Sequence, residues 1–110
     1  MIDLPQIKNI NALVKAIETF GMSAQVDMAI EEMSELTKAL CKERRYKNDA
    51  DKHTEAVANV IEEIADVAIM LNQLVIIFDN NGAIQKQADF KIERLEKMLK
   101  GCKRNESNNK

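Results

Sequence analysis

The chain has 110 residues, 45% hydrophobic and 31% charged, with three Gly and one Pro; this profile belongs to one soluble helical domain and excludes a loop-rich or disordered chain or two ordinary domains. Its net charge of −2 and pI near 5.5, with four Phe or Tyr residues and no Trp, argue against a nucleic-acid surface. Cys41 and Cys102 form no CxxC and have no paired His, which excludes a zinc site or disulfide framework and points to reducing cytosol.

The opening "MIDLPQIKNI" lacks a basic segment leading into an apolar one, so no signal peptide is expected. Apolar residues at helical spacing then predict a first helix from about Ile7 to Phe20, ended by Gly21. Ser23 is the expected N-cap of a second helix reaching about Arg45. Its stripe is Val26, Ala29, Ile30, Met33, Leu36, Thr37 and Leu40, the predicted core face.

Opposite Ile30 and Met33 fall Glu31, Glu32 and Glu35, three acids on an arc of about 100°. "YKNDADK", Tyr46 to Lys52, is polar and reads as a loop. His53, the single histidine, follows it, with a capping or solvent-exposed role expected; one histidine excludes a ferritin-like di-iron site, which needs two.

A third helix is predicted from about Thr54 to Phe78, ended by "DNNG". Its acids Glu62, Glu63 and Asp66 precede a stretch that is apolar on every side, including Ile69, Met70, Ile76 and Ile77. A helix apolar all round must be covered all round, which predicts a homodimer or higher oligomer with this helix in the interface. The run from Val67 to Phe78 is broken by Asn72 and Gln73 and falls short of the roughly 18 to 20 residues of a membrane span. A fourth helix is expected from about Ile84 to Leu99, so the domain spans 1–101 and 102–110 form a disordered tail.

Carboxylates three and four residues apart on a helix repel by a few tenths of a kcal/mol in water, and by far more beside apolar surroundings unless a cation intervenes. Residues 54–80 carry five acids and no Lys or Arg. Oxygen ligands without His or Cys suit Mg²⁺ or Mn²⁺. The other reading is an ordinary solvated acidic face on a helical interaction module.

ExxE at Glu32 to Glu35, followed after 27 residues by ExxD at Glu63 to Asp66, resembles the MazG-like nucleoside triphosphate pyrophosphohydrolases. Glu31 completes the fuller EExxE form. The resemblance covers roughly Val26 to Arg94 and implies an all-α, four-helix core assembled through a homo-oligomeric interface. It also implies cytoplasmic, Mg²⁺-dependent hydrolysis of an NTP or dNTP to the monophosphate and pyrophosphate. Glu32, Glu35, Glu63 and Asp66 would then hold the metal, Glu31 and Glu35 would serve catalysis, and Lys91 and Arg94 would meet the phosphates. No aromatic pair marks a base-reading site.

Overall fold

The computed structural model of the chain describes residues 4–79 and 81–108, with side chains to 102, and holds no strand among them. Its order is α1 (Ile10–Phe20), α2 (Met22–Arg45), α3 (Ala50–Phe78) and α4 (Ala83–Asn108). The expected all-α class and the four helices are therefore present. The chain divides into two compact units, Met1–Phe78 and Asp79–Lys110.

In the first unit, α1 starts three residues later than expected because Asn9 caps it. The Asn9 side-chain oxygen accepts a hydrogen bond from the Ala12 N–H at 3.2 Å, satisfying one of the free donors of the first turn. Gly21 ends α1, its N–H donating to the Ile17 carbonyl at 2.8 Å. With φ 93° and ψ 150°, Gly21 occupies backbone space open in practice to glycine alone. α2 begins on the next residue, so Ser23, the expected N-cap, lies within its first turn.

The expected loop Tyr46 to Lys52 is shorter than its composition suggests. The Asp49 carboxylate accepts from the Lys52 N–H at 3.2 Å, and α3 consequently starts at Ala50, ahead of the expected Thr54. Tyr46 fixes the turn from the other side, with the Arg45 and Lys52 cations 5.9 and 5.2 Å from its ring centre, within cation–π reach. This short turn returns α3 antiparallel to α2, and the two helices pack along their length while α1 touches both.

In the second unit, Asn81 (φ 59°) and Gly82 (φ 77°) turn the chain, and the Asp79 carboxylate accepts from the Ile84 N–H at 3.2 Å. α4 follows, running to Asn108 where the sequence suggests an end near Leu99. α4 thus continues past Leu99 through Gly101; residues 109–110 of the expected tail lie outside the described residues. Ile84, Phe90, Ile92, Leu95, Met98 and Leu99 on α4 are all exposed. Among the described residues, no helix is long and apolar enough to cross a membrane.

Candidate functional site: an acidic seam and an uncovered apolar face

The side of α2 that meets α3 is not its most apolar one. Gln25, Ala29 and Ala39 are buried and Glu32, Leu36 and Glu43 are half-buried, and these six recur at alternating spacings of four and three, the repeat of a helix–helix seam. The expected core stripe is corrected accordingly: Ile30, Met33 and Leu40 are exposed. Packing has chosen small residues, which let the helices approach closely, and has turned Glu32 inward with them.

On α3 the matching seam is Ala56, Val60, Glu63, Val67, Met70 and Leu74, all buried or half-buried. Glu32 and Glu63 thereby face each other across the hairpin, with Asp66 one turn further along. Each of these three acids offers an oxygen, and the three oxygens lie within 4.8 Å of one another.

Burial pushes the Glu32 carboxyl above the usual carboxylate range, and the charges of Asp66, Glu31 and Glu35 push it the same way. Burial likewise raises the Glu63 carboxyl, and the charges of Asp66, Glu32, Glu35 and Glu62 push it the same way. One oxygen of Glu63, Oε2, is buried without a hydrogen-bond partner, a costly arrangement for an ionised group. An all-oxygen, all-anionic donor set with an orphaned atom fits a hard divalent cation.

Within the first unit, the other expected acids do not join this group. Glu35 is exposed and pairs with Lys38 at 3.5 Å on its own helix; it precedes Leu36 and so sits beside the seam. Glu31 and Glu62 are exposed. Lys91 and Arg94 lie exposed on α4, in the second unit, Arg94 bordering a surface hollow with Phe90, Glu93 and Lys97.

Two polar features escape the sequence pattern. His53 is neither a cap nor free in solvent: its Nε2 lies 3.0 Å from Oε1 of Glu43, and this contact holds the Glu43 carboxyl below the usual range. Glu43 carries a signal after the fact, since it continues the α2 seam at the correct spacing. Gln25 and Gln73 are also buried, and Gln73 Oε1 has no partner.

Seven of the exposed large apolar residues on α2 and α3 follow a seam residue by one position, whereas Met28, Ile69 and Ile76 lie on the other side. Ile30, Met33 and Leu40 follow Ala29, Glu32 and Ala39, and Ile61, Ile64, Leu71 and Val75 follow Val60, Glu63, Met70 and Leu74. One step along an α-helix is a rotation of about 100°. In an antiparallel pair that rotation carries both sets to the same side. The hairpin thus has one apolar face, its eight large side chains, including Phe78, each 39–65% exposed.

The residues preceding the seam positions make the reverse face. They include Glu31, Glu35, Lys38, Lys42, Glu55 and Glu62, and two neighbouring hollows there share Lys42 and Asn59. At one end of this face α1 packs against Ile76 and Ile77 through Val14 and Ile17, around a third hollow.

No family model matches the chain, and no solved structure matches it. A curated protein of Schizosaccharomyces pombe, "t-SNARE affecting a late Golgi compartment protein 2", is 27% identical over 101 residues, 92% of this chain. The chain spans about a third (34%) of that relative's length. This similarity overturns the expected relationship to MazG-like pyrophosphohydrolases. With it fall NTP hydrolysis and the NTP or dNTP substrate. The geometry of the expected motif differs in the same sense, since Glu35 stands apart from the other three acids, held by Lys38.

Proposed function

We propose that the chain is a non-enzymatic helical interaction module, which works by packing the apolar face of the α2–α3 hairpin against other helices. The observation that carries this reading is that face itself. Soluble monomers rarely expose contiguous apolar patches beyond a few hundred Å², and larger ones mark interaction sites. Here Ile61, Ile64, Leu71, Val75 and Phe78 are exposed on α3 with the alternating spacing that inserts into a facing helix pair.

The named relative supports a setting in membrane trafficking, at a late Golgi compartment, for this module. Partner proteins, rather than a membrane-spanning helix among the described residues, would hold it there. The test is site-specific photo-crosslinking in cells. A photoreactive amino acid at position 71 should give a crosslinked product with a helical protein, and one at position 55, on the charged face, should not. Equal yields at the two positions, or none at either, would sink the reading.

The acidic seam supports a second role for the same hairpin, the binding of Mg²⁺ or Mn²⁺ by Glu32, Glu63 and Asp66. The partnerless Oε2 of Glu63 is the observation that favours it. A cation there neutralises the three carboxylates and ties α2 to α3 at the middle of their length.

A further inference from the structure

We propose that α1 is a hinged cover, shut on the α2–α3 hairpin in this structure, that opens about Gly21 as a unit while the hairpin stays folded and so uncovers Gln73 of α3. Neither the apolar face nor the acidic seam takes part in this motion.

Burial changes abruptly along one row of α3. Of the residues one step before its seam positions, Glu55, Asn59, Glu62, Asp66 and Ile69 are exposed or half-buried, whereas Gln73 is 4% exposed. What arrives at this end of the row is α1, which packs on both α2 and α3 and sets Val14 and Ile17 beside Ile76 and Ile77, one turn beyond Gln73. α1 is thus the element that removes Gln73 from water.

α1 covers Gln73 without serving it. The inward residues Leu13, Val14, Ala16 and Ile17 are apolar, while Asn11, Lys15, Glu18 and Thr19 are exposed, and Oε1 of Gln73 is buried with no hydrogen-bond partner. An unmet buried acceptor is costly, and contact with water removes that cost. The contact is also incompletely filled, since a hollow of about 230 Å³ remains where Val14 and Ile17 meet Met22, Ile76 and Ile77, which leaves these side chains short of partner atoms. Closure buries apolar surface and strands an acceptor, so its net gain is small.

The joint permits the motion. Gly21 alone separates α1 from α2, no side chain caps the start of α2, and no atom lies within 4 Å of a Cβ placed at Gly21. Hinges are a few residues that absorb a large change of φ and ψ, and glycine is the residue freest to do so. With 11 residues, α1 is also shorter than the roughly 12–15 at which an isolated helix becomes marginal in water. A released α1 therefore unwinds, which makes opening all-or-none.

Native-state amide exchange of the purified full chain, resolved by residue, tests the proposal. The amides of 14–20 should share one opening equilibrium, roughly 100-fold more open than that of 56–70. Low denaturant should speed exchange over 56–70 and barely change 14–20, because releasing α1 exposes little surface. Gln73→Met keeps the length of the side chain and removes the stranded acceptor, so it should slow exchange over 14–20 roughly fivefold.

Exchange over 14–20 through the same opening as 56–70 overturns the inference, since α1 then leaves only with the whole unit. Protection that fades evenly from Phe20 to Ile10 overturns it as well, being the fraying of a chain end. So does exchange over 14–20 that Gln73→Met leaves unchanged. Should that variant fail to fold, the two wild-type readings decide alone.

Discussion

Nε2 of His53 lies 3.0 Å from Oε1 of Glu43, a half-buried contact that ties the last turns of α2 to the first turn of α3 on either side of the connection. The His53 N–H donates to the carboxylate, which lowers the Glu43 pKa. A depressed carboxylate pKa stabilises the fold above the ordinary glutamate range, and this contribution is lost as pH falls through the lowered value.

His53→Ala is therefore expected to lower the melting temperature at pH 7. The gap between wild type and variant should persist to about pH 5 and close below about pH 4, beneath the ordinary glutamate pKa. Thermal melts across that range measure it. A gap independent of pH would show that the ring acts through packing alone.

The acidic seam has the opposite sign. The Glu32 and Glu63 carboxyls are raised, so the folded state binds protons more readily than the unfolded one. Without divalent cations, stability should rise as pH is lowered from 7 towards the ordinary glutamate range and the repulsion is removed. Glu63→Gln should reproduce that gain at pH 7.

Mg²⁺ or Mn²⁺ should replace the proton in this role. Binding to the folded state alone adds about 2.7 kcal/mol at a hundredfold excess over Kd, visible as a saturable rise in melting temperature that EDTA reverses. Asp66→Asn should remove most of that rise. Identical responses from wild type and the variant would exclude the seam as the binding place.

Gly21→Ala should destabilise the chain by roughly 1–3 kcal/mol, the cost of holding an L-residue in backbone space reserved for glycine. Open space surrounds the position, so a clash cannot be the cause, and Gly21→Ser should cost a similar amount. Denaturant unfolding measures both. A neutral Ala variant would mean that the α1–α2 junction relaxes freely.

Ala39 is 1% exposed on the α2 seam. Ala39→Leu should cost roughly 1–3 kcal/mol by overpacking, although leucine is among the better helix formers and would be neutral on an open face. Lys42→Leu, at an exposed position on the reverse face, provides the contrast, with a change near zero.

Helix number and order were legible because apolar residues recur at helical spacing and Gly21 and Gly82 interrupt them. The orientation of α2 was not. Periodicity picks out one broad stripe whose Ala29 and Leu36 do face α3, but its most apolar part, Ile30, Met33 and Leu40, is the exposed stripe beside the seam of Ala29, Glu32 and Ala39. The two stripes differ by a single residue of register, and helical period alone cannot separate them. Close approach of two backbones favours alanine, a demand that hydrophobicity does not encode.

The convergence of Glu32, Glu63 and Asp66 was legible from two acid pairs on successive helices, because an antiparallel return must bring some of them level. Glu35 looked equivalent and is not. It follows the α2 seam on the charged side, where Lys38 is its neighbour. The pattern of acids alone therefore grouped one carboxylate too many, and it suggested a chemistry that the similarity to a t-SNARE-affecting late Golgi protein contradicts.

Ala29 and Ala39 lie on either side of Glu32, each 1% exposed. With only a methyl group to intervene, they act as fixed spacers, so the distance between the α2 and α3 backbones is set by main-chain contact and not by adjustable rotamers. The span across which Glu32 faces Glu63 is then a property of the scaffold, like the gap of a caliper locked at both ends. Changing the carboxylates alters what sits in the gap, whereas changing the alanines alters its width.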